Sequence, residues 1–311
     1  MRFSIFDNFG AKNSRPVFQA FESALAKRNQ TIVKHDMMAD VAVIWSVLWE
    51  GRMRRNLEVW RHYRSLNRPV VVLEVGGLFR GRTWRIGING VNRQGLITQD
   101  YMPADRYLQM GIKMDAWKGN GEHIVIATQR QNSQQWSGMP ATGEWVRQTV
   151  NELRKYSQRP ILIRWHPRER LDIDYLGPDV RIQHPVRLSD TYDSYDFRDS
   201  LKDAWAVVNW NSNPGIEAVL AGVPAFVGSS SLAAPVGNLD LANIESPLMP
   251  ERQQWINDVS YTEWTLEEIA AGMPLNHMMR VLKTQVRAAK AMTDSCPTTA
   301  TRGLAAAGNH F

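Results

Sequence analysis

Two apolar runs, Val41–Val47 and Pro69–Val75, constrain this chain more than any other feature. Both are nearly continuous instead of alternating, so each reads as a strand buried on both faces. Between them, Glu50–Leu66 places Met53, Leu57, Trp60 and Tyr63 on one helical stripe and arginines elsewhere. Strand, amphipathic helix, strand is the signature of a parallel sheet covered by helices. The pattern extends backwards through a strand at Phe3–Asp7, a helix from Pro16 to about Asn29 and a strand at Thr31–Lys34. Pro16 suits a first helical turn, where its missing N–H costs nothing.

From Arg80 to Lys118 the periodicity dissolves into glycine-rich sequence of mixed polarity, which predicts irregular structure and a linker near 115–121. The alternation then restarts. Strands are expected at His123–Thr128, Pro160–Trp165, Val180–Ile182, Ala204–Asn209 and Ala225–Val227. Helices are expected at Gly143–Tyr156, Tyr195–Asp203, Pro214–Ala221, Thr265–Ala271 and Leu275–Lys290. The expected fold class is therefore α/β, with two Rossmann-like doubly wound domains facing a cleft. Residues 1–118 form the first domain, 119–290 the second and 291–311 a frayed tail. A length of 311 residues suits two such domains. Ligands of tandem domains of this kind bind at the carboxyl ends of the strands.

Composition narrows the partners. The net charge of +6 calls for an anionic one: a nucleotide-sugar, an acidic glycan, a membrane surface or nucleic acid. A single cysteine, Cys296, excludes a disulfide framework and a cysteine-ligated zinc. No apolar stretch approaches bilayer length and the N-terminus lacks a signal-peptide core, so the expected compartment is the cytoplasm.

Two constellations carry chemistry. After the strand Ile161–Ile163 comes Arg164-Trp165-His166-Pro167-Arg168, which sets an imidazole and guanidiniums at a strand's carboxyl end. Arg168 can clamp a phosphate and His166 can donate to one. A lone His-Pro is equally explained by a turn, and His184-Pro185 repeats the dipeptide. After the strand Ala206–Asn209 comes Trp210-Asn211-Ser212-Asn213-Pro214-Gly215-Ile216-Glu217-Ala218, a polar loop running into a helix N-terminus. Such an end offers unpaired N–H groups and a positive dipole to an anion. Ser212 or Asn213 can cap the helix, and Glu217 can reach a ribose diol or a sugar hydroxyl.

Taken together, the strand–His-Pro-Arg and the strand–Ser/Asn loop–Gly-x-Glu-Ala…Ala-Gly-x-Pro resemble the C-terminal half of GT-B glycosyltransferases, over about residues 123–230. The similarity is greatest to capsular-polysaccharide and sialyltransferase-like enzymes with His-Pro and serine-loop motifs. The resemblance implies that Arg164, His166, Arg168, Asn211, Ser212, Asn213 and Glu217 hold a nucleotide-sugar, with UDP the expected nucleotide. It also implies that no cofactor or metal is needed. Asp172-x-Asp174 is the one metal-like spacing, and it falls in an expected surface turn.

The first half would then supply the acceptor site and, for an inverting enzyme, a base. Glu74, at the end of a buried strand before Gly76-Gly77, is one candidate, and Asp7, in the equivalent place after the first strand, is the other. Arg80, Arg82, Trp84, Arg85 and Arg93 form a basic, aromatic stretch expected to bind the acceptor. Phage DNA glucosyltransferases are likewise small basic GT-B proteins, so hydroxymethylated pyrimidines in DNA are the expected acceptor. A capsule or lipopolysaccharide transferase, a sugar-nucleotide epimerase and a non-catalytic nucleic-acid-binding protein are the alternatives.

Overall fold

A computed structural model describes residues 1–95, 101–169, 173, 176–191 and 193–295. Its strands are β1 Arg2–Ile5, β2 Thr31–Lys34, β3 Val41–Trp45, β4 Val70–Val75, β5 Trp84–Ile88, β6 His123–Ala127, β7 Ile161–Arg164, β8 Val180–Gln183, β9 Ala204–Asn209, β10 Ala225–Val227 and β11 Glu263–Trp264. Its α-helices are α1 Arg15–Ala26, α2 Asn56–Ser65, α3 Asp105–Met110, α4 Thr142–Leu153, α5 Phe197–Ser200, α6 Asn213–Leu220, α7 Gln253–Ser260, α8 Leu266–Ala271 and α9 Met273–Ser295.

Two sheets form, in the orders β11-β5-β4-β3-β1-β2 and β10-β9-β6-β7-β8. The second is parallel throughout, and the first is parallel from β4 to β2. Period-two alternation splits each strand between two cores. In the first sheet, Phe3, Val41, Val43, Val71 and Leu73 pack with α1, while Ala42, Ile44, Val70 and Val72 pack with Val59 and Tyr63 of α2. In the second, Val125, Val207 and Ala225 pack with α6 and α7, while Ile124, Ile126, Ile161 and Ile163 face α4. These are the two Rossmann-like units expected.

The packing departs from the expected boundaries in two places. The glycine-rich stretch contains a strand. In β5, Trp84-Arg85-Ile86-Gly87-Ile88 runs antiparallel to β4 and sends Ile86 and Ile88 into the first core. Two glycines and two arginines within and around it hide an ordinary alternation. The chain also crosses back. Residues 253–260 pack in the second unit, but β11 joins β5 at the edge of the first sheet. Trp264, Ile269, Leu275, Met278, Leu282 and Val286 then complete the first core. A division of 1–118 from 119–290 therefore holds only up to about residue 262. The tail expected over 291–311 instead begins within α9, which runs to Ser295, and its remainder lies outside the described residues.

Candidate active site

The second sheet aims its parallel strands at the cleft, and the loops leaving β6, β7 and β9 are tied to one another. Asn209, buried at the end of β9, donates from Nδ2 to the Ala127 carbonyl (2.9 Å) and to Ser212 Oγ (2.9 Å). Its Oδ1 accepts the Ser212 N–H (2.9 Å). Ser212 occupies the N-cap position of α6 with extended backbone, but its hydroxyl makes no capping hydrogen bond. Pro214 carries no N–H and the Gly215 N–H donates to the Ser212 carbonyl (3.2 Å), so the Asn213 N–H is the first-turn donor of α6 left to another acceptor. Asn213 is the first residue of the helix.

His166 is held as firmly. Its N–H donates to Thr128 Oγ1 (2.9 Å), and its Nδ1 accepts the N–H of Arg168 (3.1 Å). An accepting Nδ1 leaves the proton on Nε2, which is then the donor. Burial, together with the charges of Arg130, Arg168 and Arg80, lowers the imidazole pKa to about 4 against a weaker pull from Asp193. His166 is therefore a neutral N–H donor near pH 7. Trp165, His166, Pro167, Glu169, His184 and Pro185 line a pocket of about 390 Å³, so the two His-Pro dipeptides meet in one place. Trp165 and His184 touch edge to face at 4.6 Å.

Glu217 lies one turn into α6. Burial raises its pKa to about 7, against the charges of Arg198, Arg80 and Arg164. Arg164 itself is buried. It donates to the His184 carbonyl (3.1 Å) and pairs with Asp196, which also accepts the Val186 N–H. Asn211 is buried too, bonded to Gln129, Ser230 and Gln135. Both residues brace the site's walls, unlike the direct ligand contacts expected of them. Arg168 is exposed, and its Nη2 donates to Asp193 Oδ2 (2.6 Å).

Across the cleft, Glu74 ends β4. It accepts from Ser46 Oγ (2.5 Å) and the Val75 N–H (2.9 Å). Burial raises its pKa; the two hydrogen bonds and the charges of Arg80 and Arg85 reduce the rise without cancelling it. The other candidate base has opposite surroundings. Asp7 takes Lys34 Nζ at 2.7 Å and His35 Nε2 at 3.1 Å. Burial pushes its carboxyl up, but the Lys34 hydrogen bond and the charges of Lys34 and His35 outweigh that and hold it below the ordinary carboxylate value.

The basic stretch does not stay together. Arg85 is buried in β5, bonded to Glu263 Oε1 (2.6 Å) and Asn213 Oδ1 (3.3 Å). Trp84 pairs with Trp264 and packs on the first core. Arg80 crosses to the second unit, donating to the Asp193 carbonyl (2.9 Å) and Oδ2 (3.1 Å). Arg82 and Arg93 are exposed, with Arg82 stacked on Phe79 at 5.5 Å. A set of five arginine and aromatic side chains facing one ligand is therefore not formed, because Trp84 and Arg85, neighbours in β5, point to opposite faces of the sheet and are each covered there.

Several positioning residues escape sequence reasoning: Thr128, Asn209, Ser46, Asp193 and Glu263. Thr128 and Asn209 lie at expected strand ends, which is a usable signal. Glu263 is reached only through the returning chain. It is fully buried and accepts from the Gly77 and Leu78 N–H groups, Thr83 and Arg85, holding the turn that follows Glu74. Among the described residues no group of three or more His, Cys, Asp or Glu could hold a metal, and no helix is long and apolar enough to cross a membrane. Asp172 and Asp174 lie outside the described residues.

No family model matches the sequence, and no curated protein does. Solved structures give a likeness of shape. KpsC from Thermosulfurimonas dismutans, described as a beta Kdo 2,4 transferase, aligns over 88% of this chain and 98% of its own at 10% identity and a TM-score of 0.49. A second KpsC structure, a beta Kdo 2,7 transferase, gives 88% and 99% coverage, 13% identity and 0.42. The UDP-GlcNAc 2-epimerase of Methanocaldococcus jannaschii gives 91% and 100%, 11% and 0.32.

Proposed function

We propose that this protein is a glycosyltransferase that moves a sugar from a nucleotide-sugar, bound by the second unit, to an acceptor hydroxyl presented by the first. One observation carries the reading. A neutral His166 Nε2–H and the Asn213 N–H at the start of α6 stand at strand ends of the second sheet, Glu74, a carboxyl of raised pKa, stands at a strand end of the first, and Arg80–Asp193 and Arg85–Asn213 join the two edges. Anion donors on one side and a base on the other are what displacement of a phosphate leaving group requires.

With Glu74 as base the transfer is a single displacement. The acceptor oxygen bonds to the anomeric carbon as that carbon's bond to the phosphate oxygen breaks. The hydroxyl proton passes to Glu74. The charge gathering on the leaving phosphate meets His166, the Ser212 hydroxyl and the Asn213 N–H at the positive end of α6. Glu217, deeper on α6, suits the ribose diol. UDP is the nucleotide to try first.

Hydroxymethylated DNA loses its support as acceptor, since Arg85 and Trp84 face inward and Arg80 is engaged by Asp193. A saccharide acceptor, as in capsule or lipopolysaccharide synthesis, is the better reading. The test is incubation with a panel of nucleotide-sugars, alone and with saccharides or hydroxymethylated DNA, followed by mass analysis of products. Nucleotide release that depends on a saccharide supports the proposal. Sugar interconversion without any acceptor would replace it with an epimerase, and glucosylated DNA would restore the nucleic-acid reading.

A further inference from the structure

The carboxyl edge of the first sheet bears a group of cations that the proposed chemistry leaves unused. Arg52, Arg54 and Arg55 fall in a short 3-10 turn, 51–55, that follows β3, and all three are exposed. Lys12 and Arg15, also exposed, lie in the loop after β1 and at the start of α1. Among the described residues none of the five pairs with a carboxylate. Of the acidic side chains nearest in sequence, Asp7 is taken by Lys34 and His35 and Glu50 by Arg130 and Asn132, while exposed Glu58, three residues after Arg55 in the first turn of α2, makes no ion pair among the described residues. Three arginines within four residues repel one another, and of the two glutamates that flank them Glu50 is already neutralised by Arg130.

The turn is fixed in place. Asn56, fully buried at its end, donates from Nδ2 to the Trp45 carbonyl (2.6 Å) at the end of β3 and to the Phe9 carbonyl (3.3 Å). The arginines are thereby pinned to the strand end whose next residue, Ser46, hydrogen-bonds Glu74. Arg55 lies over the Phe9 ring at 5.8 Å. Partly buried Trp49, against Trp60 at 6.0 Å, adds a second aromatic to the same edge. Guanidiniums beside aromatic rings make a surface suited to acidic sugars, whose charged groups take forked hydrogen bonds while their apolar ring faces lie on the aromatics.

We propose that this shelf is the acceptor subsite and that the acceptor is an acidic saccharide, carrying carboxylate or phosphate groups along the chain whose terminal hydroxyl reaches Glu74. The assignment rests on the glycosyltransferase reading only for the word acceptor; the binding surface stands on its own. Glu74 is recessed behind Ser46, which a narrow chain end can approach and a base within a duplex cannot without being extruded.

The experiment measures binding of oligogalacturonate, of a phosphate-bearing oligosaccharide, of a neutral oligosaccharide of equal length and of duplex DNA, with UDP titrated in parallel. The wild type should bind one of the acidic chains and not the neutral one, and added salt should weaken that binding. The triple variant Arg52→Ala/Arg54→Ala/Arg55→Ala should bind the acidic chain about ten- to a hundredfold more weakly, because three exposed guanidiniums no longer face its anionic groups. Its UDP affinity should be that of wild type, which also reports that it is folded. His166→Ala should do the reverse, losing UDP and keeping the saccharide. Equal saccharide binding by wild type and triple variant, equal binding of neutral and acidic chains, or tighter shelf-dependent binding of duplex DNA each overturns the proposal. Should UDP fail to bind the wild type while the acidic chain binds through the shelf, the donor assignment falls and the shelf remains.

Discussion

The two sheets deliver their strand ends to one cleft in opposite chemical states. The second sheet's edge is wired before any ligand arrives: Thr128 and the Arg168 N–H orient His166, and Asn209 holds both the backbone and the hydroxyl of Ser212. Its functional groups are neutral donors with their acceptors withheld. The first sheet's edge holds the recessed carboxyl of Glu74, which, among the described residues, is not paired with a cation as Asp7 and Glu263 are, with exposed arginines beyond it. Preorganised donors suit a ligand whose charge is always the same, such as a diphosphate, because no reorganisation is needed on binding. A carboxylate of raised pKa suits a group that must accept a proton.

The largest effect expected from breaking this contrast is on the first side. Glu74→Gln keeps shape and hydrogen bonding to Ser46 but cannot take the proton, so transfer should fall by about 10²–10⁴-fold. Nucleotide affinity should not change, because the base acts only in the transition state. Steady-state rates with a calorimetric UDP titration separate the two. Asp7→Asn is the control: its carboxyl is held low by Lys34 and His35, and transfer should stay within about tenfold of wild type. The reverse result would exchange the roles of Asp7 and Glu74.

On the second side the effect should appear in binding. His166→Ala removes a hydrogen bond to a charged ligand, which costs about 1.5–3 kcal/mol. UDP affinity should therefore drop by roughly ten- to a hundredfold, and Ser212→Ala should weaken it in the same direction. Phosphate beside the ring also favours the imidazolium, so nucleotide should raise the His166 pKa from about 4. A histidine titration by NMR with and without UDP reads this directly. An unmoved pKa with unchanged affinity in both variants would remove the phosphate from this edge.

Glu217 offers a test by pH. Its folded pKa of about 7 lies above the usual glutamate value, so the folded state binds the extra proton. That contribution to stability is full below about pH 4.5 and is lost as pH rises through 7. Glu217→Gln has no such loss and should be more stable than wild type at pH 8 by something on the order of 1–3 kcal/mol, with the difference vanishing near pH 5. Denaturant melts at the two pH values decide it. Nucleotide binding should move oppositely in the wild type, tightening from pH 6 to 8 as the carboxylate becomes available to the ribose hydroxyls. A flat profile would take the ribose away from Glu217.

How much of this was legible in the residues follows from what each one depends on. Strands such as Ala204–Asn209 and Ala225–Val227 stand where their apolar runs put them, because burial on both faces leaves a parallel strand little freedom. His166, Ser212 and Glu217 could be found because they follow such strands directly. What escaped depends on contacts distant in sequence. Arg85 looked like a loop cation because its partner Glu263 sits 178 residues away on a strand of two residues. Asn211 and Arg164 carry ligand-like side chains, and only their buried partners Gln129, Ser230 and Asp196 show them to be braces. Periodicity reports which face is apolar, and it is silent on which buried polar group finds which.

The smallest expected effect concerns one of the contacts that join the two edges. Arg80 leaves the first unit after β4 and binds the carbonyl and carboxylate of Asp193, which Arg168 also grips. The pair is partly exposed, so solvent screens it, and Arg80→Ala should cost only about 0.2–1 kcal/mol in a denaturant melt. Asp193 would keep Arg168, so its carboxylate would not be stranded. Arg80 also helps to lower the His166 pKa and opposes the rise at Glu217. Its removal should therefore move both groups upward together, favouring the imidazolium and disfavouring the Glu217 carboxylate. The consequence for UDP is a partial cancellation, with affinity changed by less than about tenfold at pH 7. Arg168→Ala removes a cation from the donor side itself and should weaken UDP more than Arg80→Ala does. If Arg80→Ala instead proves the worse of the two, the first unit reaches across to hold the donor phosphate, and the separation of donor and acceptor edges drawn from the two sheets is wrong at that point.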